Sequence, residues 1–183
     1  MRSSLRGLLA ATLLCFTVPA LGSAQINLTG DISGSLADTL VDLDLSGSTT
    51  AVVGSGGGSS SLGPLTWRTV TEVEELPVAN VNCPPAELEF LLVDSSAVLR
   101  LDPSGILVYL VLDPASDSWF CADLLTGAFS GQVSTLVVGG TGPASGATGT
   151  VVLEFTGVTL LADVTGDGRF SGISGTIAGT IFP

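Results

Sequence analysis

Carboxylates are the only abundant reactive side chains in this chain: 17 Asp and Glu stand against 5 Arg, with one Tyr, three Cys, no His and no Lys. Without histidine the Ser-His-Asp and Cys-His nucleophile arrangements cannot be assembled, and without lysine neither can a Ser-Lys pair or a Schiff base. What remains is carboxylate chemistry. Asp42/Asp44, Glu72/Glu74 and Glu87/Glu89 are each two positions apart, so on an extended strand each pair shares a face. Two carboxylates across a cleft are what glycoside cleavage requires. The simpler reading is a solvated outer face, because the intervening positions are largely apolar.

Oxygen ligands also recur in Asp163-Val164-Thr165-Gly166-Asp167-Gly168, which matches the start of a calcium loop through Asp163, Thr165 and Asp167. Ser174 occupies the twelfth position, where such a loop needs a bidentate Glu, and the flanks read as strands. A hairpin turn is the favoured reading, with weak calcium binding as the alternative, and no other cofactor is expected. Cys83 and Cys121, 38 residues apart, are read as a structural disulfide, with two free thiols as the alternative. Two thiols without histidine make a poor metal site. No catalytic residue is assigned.

The elements that must position these groups are strands. Leu65, Trp67, Thr69, Thr71 and Val73 alternate with Arg68, Glu72 and Glu74, and Val41 to Leu45 alternates in the same way. Ile106 to Leu112 is apolar almost throughout, and Asp102-Pro103-Ser104-Gly105 before it suits a type I-based hairpin after a strand at 97–101. Strands are expected around 128–138, 149–162 and 169–182, with Gly-rich turns at 139–142 and 165–168. Segments 85–93 and 114–125 are open between helix and strand, Asp113-Pro114 being a possible helix start. Residues 54–64 carry Gly and Ser without an apolar period and read as a flexible loop. Gly-x-x-Ser-Gly recurs at Gly30, Gly127, Gly142 and Gly168, as a turn or strand start with Ile32, Phe129 and Phe170 as inward anchors and Ala144 as the reduced copy. The class is all-β, an antiparallel β-barrel of about eight strands. A β-sandwich or β-solenoid is the alternative, though the motif copies are unevenly spaced.

The N-terminus has the three parts of a secretory signal: Arg2 and Arg6, the apolar run Leu8 to Leu21, and the small-residue site Gly22-Ser23-Ala24. The expected organisation is a signal peptide over 1–24, cleaved near Ala24, and a single domain over 25–183 that is secreted or periplasmic. A membrane span needs about 20 apolar residues without such an end, and no membrane insertion is expected after cleavage. The net charge of −12 excludes electrostatic attraction to nucleic acid or anionic lipid.

Val138-Gly139-Gly140-Thr141-Gly142-Pro143-Ala144-Ser145-Gly146-Ala147-Thr148-Gly149-Thr150 resembles the Gly-Gly-Thr-Gly-Arg-Phe-x-Gly-Ala-Thr-Gly signature of small secreted bacterial proteins. Those proteins are similar to the allene oxide cyclase and dirigent-type barrel. The Arg-Phe of the signature is found instead at Arg169-Phe170, so the match covers roughly the C-terminal third, split over two hairpins. The resemblance implies an eight-stranded antiparallel barrel with an apolar interior and carries over no site residue. The expected function is a non-catalytic binding or structural module with a small apolar ligand in the interior. Two alternatives stay open: a cyclase or isomerase that uses buried carboxylates with Tyr109, and a surface or matrix protein that self-associates through exposed strand edges.

Overall fold

The structure is a computed structural model and describes residues 24–39, 49–162 and 169–183. Val41 to Leu45, the Asp42/Asp44 pair, the calcium-loop candidates Asp163, Thr165 and Asp167 and all but the last residue of the signal segment lie outside the described residues.

Nine strands follow one another: β1 (Ile26–Thr39), β2 (Thr49–Ser60), β3 (Gly63–Glu74), β4 (Leu88–Leu101), β5 (Ile106–Leu112), β6 (Trp119–Ala122), β7 (Ala128–Gly140), β8 (Thr148–Ala162) and β9 (Arg169–Phe182). The only helical piece among the described residues is a 3-10 turn at Gly142–Ala144. All pairings are antiparallel, in the order β3-β2-β1-β9-β8-β7-β5-β4, and β3 pairs back onto β4 to close an eight-stranded barrel. The ninth strand, β6, continues the place of β5: Leu101 to Ser96 of β4 pair with β5, and Leu91 to Leu88 with β6. Segments 85–93 and 114–125 thus both supply strand. Asp113 does cap, but only one turn, accepting the Ala115 N–H at 3.0 Å and the Ser116 hydroxyl at 2.6 Å.

Two expectations are corrected. Residues 54–60 are not a loop; they complete β2, leaving only Ser61 and Leu62 as the turn into β3. Their inward positions are Gly54, Gly56 and Gly58, and the Trp67 indole lies over the first two: a Cβ at Gly54 or Gly56 would meet its ring at 2.9 or 2.8 Å. Glycine there is the seat of an aromatic ring, so the strand carries no apolar period. The hairpin turn after β4 spans 102–105, as expected, with the Gly105 N–H donating to the Leu101 carbonyl at 2.8 Å. The Gly-x-x-Ser-Gly copies are not one device: Gly30 to Gly34 lies in the middle of β1, while Gly127, at φ 72°, turns the chain into β7. Ile32 and Phe129 are buried as expected, but Phe170 is 45% exposed, because its partner across the ladder is the outward-facing Ala37.

Alternation fills one end of the barrel. Leu28, Leu65, Leu99, Leu101, Val108, Leu110, Val137, Val151, Ile177 and Ile181 point inward and pack into one core, joined by Ala144 and Ala147 from the link between β7 and β8. This closed end holds the turns at 61–62 and 102–105. The links after β3 and β6 emerge at the other end, where the described parts of β1 and β8 also finish.

Candidate functional site

Toward that other end the inward side chains stop filling the barrel. A cavity of about 870 Å³ runs from Leu99, Leu153 and Trp67 in mid-barrel to a mouth where Asp38, Glu74, Glu75 and Arg169 stand. One wall is aromatic. Phe120 lies 6.3 Å from Phe90, 5.4 Å from Phe129 and 6.5 Å from Phe155, centroid to centroid. The β7–β8 ladder sets two of these rings by exchange: Phe129 stands opposite Gly157, and Phe155 opposite Gly131. Each ring lies over the glycine facing it; a Cβ at Gly131 would meet Phe155 Cζ at 2.5 Å.

The β3–β4 wall is lined with hydroxyls that are already satisfied. Thr71 Oγ1 is hydrogen-bonded to Ser95 Oγ at 2.9 Å, and Thr69 Oγ1 donates to the Ser96 carbonyl at 3.2 Å. Thr135 Oγ1 donates to the Val151 carbonyl at 2.7 Å, and Trp67 Nε1 to the Ser33 carbonyl at 3.3 Å. The wall therefore makes few polar demands of its own, and an apolar occupant leaves these bonds intact.

Asp38 reaches the mouth because the inward parity of Ile32, Gly34 and Leu36 continues to the end of β1. Burial raises its carboxyl above the usual range, and Arg169, whose Nε lies 3.9 Å from Asp38 Oδ2, only partly offsets this. Asp38 does not stand out in the sequence, and Arg169 does so only within the glycine signature, since their common position depends on the stagger of the closed sheet. The aromatic wall had one legible signal, Phe129, from its place after a turn glycine.

The carboxylate pairs do not form two-carboxylate clefts. Glu89 is 4% exposed on the outer wall, opposite Cys121, and Glu72 is fully buried, so neither belongs to a solvated face. Glu89 Oε2 accepts the backbone N–H groups of Val81 and Asn82 at 2.6 and 2.8 Å, and Oε1 accepts the Asn82 amide at 2.8 Å. Burial acts to raise this carboxyl, but the Asn82 and Val81 backbone bonds and the Asn82 side chain outweigh it, and the group sits below its usual range. Glu87 precedes β4, and Glu74 lies at the mouth. Cys83 and Cys121 stand at disulfide distance, with Cα atoms 5.5 Å apart. They tie the strap between β3 and β4 to β6. Tyr109 points outward and is absent from the cavity, because Val108 and Leu110 on either side of it point in.

No family model, curated protein or solved structure matches the chain.

Proposed function

We propose that this protein is an exported, non-catalytic binding module that holds one small apolar molecule in the open half of its barrel. The observation that carries this reading is the cavity of about 870 Å³, walled by four phenylalanines and Trp67 while the opposite half is packed. Its size suits a ligand of drug-like dimensions, for which sites are typically about 300 to 1,000 Å³ and mostly apolar. Export rests on the N-terminal pattern of the sequence. The barrel architecture is the one that the glycine signature implied.

The test is titration with the neutral fluorophore N-phenyl-1-naphthylamine. A saturable rise in its emission, competed by a long-chain alcohol, is expected for the purified chain. Ala122→Trp, which places an indole at the inward-facing end of β6, abolishes it. No saturable binding by the native protein would remove this reading.

One observation favours a second reading, an acid-assisted cyclase or isomerase: the raised carboxyl of Asp38 at the cavity wall. Tyr109 is no longer its partner. With a ligand in hand, Asp38→Asn should abolish turnover while keeping probe affinity; turnover equal to that of the native chain ends this reading. The strand edges that self-association needs are occupied, since each strand of the ring pairs on both sides.

A further inference from the structure

We propose that the open end of the barrel docks on a neutral, phosphocholine-type lipid surface, and that the apolar ligand enters the cavity from that surface. The proposal rests on the reading of the cavity as a ligand site. Five large apolar side chains exceed all others in exposure among the described residues: Leu76, Val81, Leu124, Leu125 and Leu160. All of them belong to links or strand ends at the open end of the barrel. Leu125 is 98% exposed and the other four lie between 64% and 80%, whereas Leu62 and Phe182 at the closed end are 39% and 42% exposed. Scattered apolar residues need no explanation; five of them gathered on the links and a strand end at one end of the barrel mark a contact surface.

The backbone holds these side chains out. Asp123 accepts the Leu125 and Thr126 N–H groups at 2.8 and 3.3 Å, and Gly127 closes the same turn onto the Asp123 carbonyl at 2.8 Å, so Leu124 and Leu125 ride on a fixed tip. Glu89 and the Cys83–Cys121 link fix the strap that carries Val81. Leu160 points outward by alternation with Phe155 and Thr159, which line the cavity, and it lies beside a β-bulge between Thr159 and Leu161. Leu124 also lines the cavity, so the lip and the interior form one apolar path.

Charge selects the occupant. A chain of net charge −12 is repelled by anionic lipid. A second copy set mouth to mouth would bring Asp38, Glu74 and Glu75 of both copies together, around a hollow centre that contributes little of the roughly 800 Å² per partner that stable interfaces bury. A phosphocholine surface presents its trimethylammonium group outermost, which suits those carboxylates and the aromatic wall behind them. Docking is peripheral, because the barrel is apolar inside, where a membrane-spanning barrel is polar, and β1 carries Thr29, Asp31 and Ser33 on its outer face.

The experiment is flotation of the native chain with phosphatidylcholine vesicles, compared with vesicles rich in phosphatidylglycerol, alongside N-phenyl-1-naphthylamine binding in vesicle-free buffer. The native chain should float with the first and not with the second. A Val81→Ser/Leu125→Ser/Leu160→Ser variant should lose flotation by more than about tenfold while keeping probe binding. Leu125→Ser alone, at a side chain that is almost wholly in solvent, gives the same direction should the triple variant fold poorly. Absence of flotation in the native chain, flotation unchanged in the variants, or a native dimer that the variants dissociate overturns the proposal. If probe binding persists in those cases, the cavity reading survives; loss of native probe binding sinks that reading instead.

Discussion

Glu89 and Asp38 respond to pH with opposite sign, and their surroundings say why. Glu89 has a depressed carboxyl because three donors converge on it, so its contribution to stability is present above the usual carboxylate range and is lost as pH falls through its folded value. Glu89→Gln keeps one acceptor oxygen for those donors and should lose about 2 kcal/mol near neutral pH, a hydrogen bond to a charged group being typically worth about 1.5 to 3 kcal/mol. Urea unfolding should show the gap between variant and native chain closing as pH falls below the usual carboxylate range. Asp38 has a raised carboxyl from burial, so its sign is reversed: the native chain is favoured at low pH and loses stability as pH rises through the folded value. Asp38→Asn should therefore gain on the native chain between acid and neutral pH in the same assay. Spacing made Glu87 and Glu89 look like a pair, but a pair on one strand needs both residues in it, and Glu87 lies before β4. Whether a carboxylate ends up at the mouth or under a strap depends on contacts from remote segments, which local spacing does not encode.

Strands whose inward positions are Leu, Val, Ile or Phe are legible from alternation, and β3, β5, β7, β8 and β9 are of that kind. β2 is not, because what fills its inward side is the Trp67 ring carried by β3. The same exchange of ring for glycine orders the cavity wall, and it makes Gly157 sensitive. A Cβ there would meet both Phe129 Cζ and the Gly172 carbonyl, of which the second is backbone and cannot swing away. Gly157→Ala should destabilise by about 2 kcal/mol, within the range for an overpacked core. Gly57→Ala, whose added carbon has the Leu65 carbonyl at 3.3 Å as its nearest neighbour, should cost distinctly less in the same thermal melt. The strap offers a second check on element packing. Cys83→Ser/Cys121→Ser releases a closed loop of 38 residues and should lower stability by about 4 kcal/mol on the chain-entropy model. The native chain should show no free thiol until reductant is added.

Closure of the sheet is what lets half of the interior stay hollow. Backbone pairing runs around the whole ring, and burial of Leu28, Leu65, Leu99, Leu110, Val151 and Ile177 at the closed end supplies an apolar core without help from the mouth. The open half is thus free to be shaped for a ligand, and an unfilled apolar space gives up the stability that packing there would add. That trade can be measured at Ser171, which points inward from β9 into the cavity and is nearly inaccessible to solvent. Ser171→Leu extends an apolar side chain into the space. If the space is hollow in solution, the variant should gain about 1 kcal/mol in urea unfolding and lose binding of N-phenyl-1-naphthylamine together. A packed interior predicts the reverse, since a larger side chain forced into filled space destabilises by about 1 to 3 kcal/mol and leaves nothing for a probe to occupy in the native chain. The two measurements move in opposite directions for a hollow barrel, so a variant that is both less stable and equally able to bind the probe contradicts the placement of Ser171 in the cavity wall.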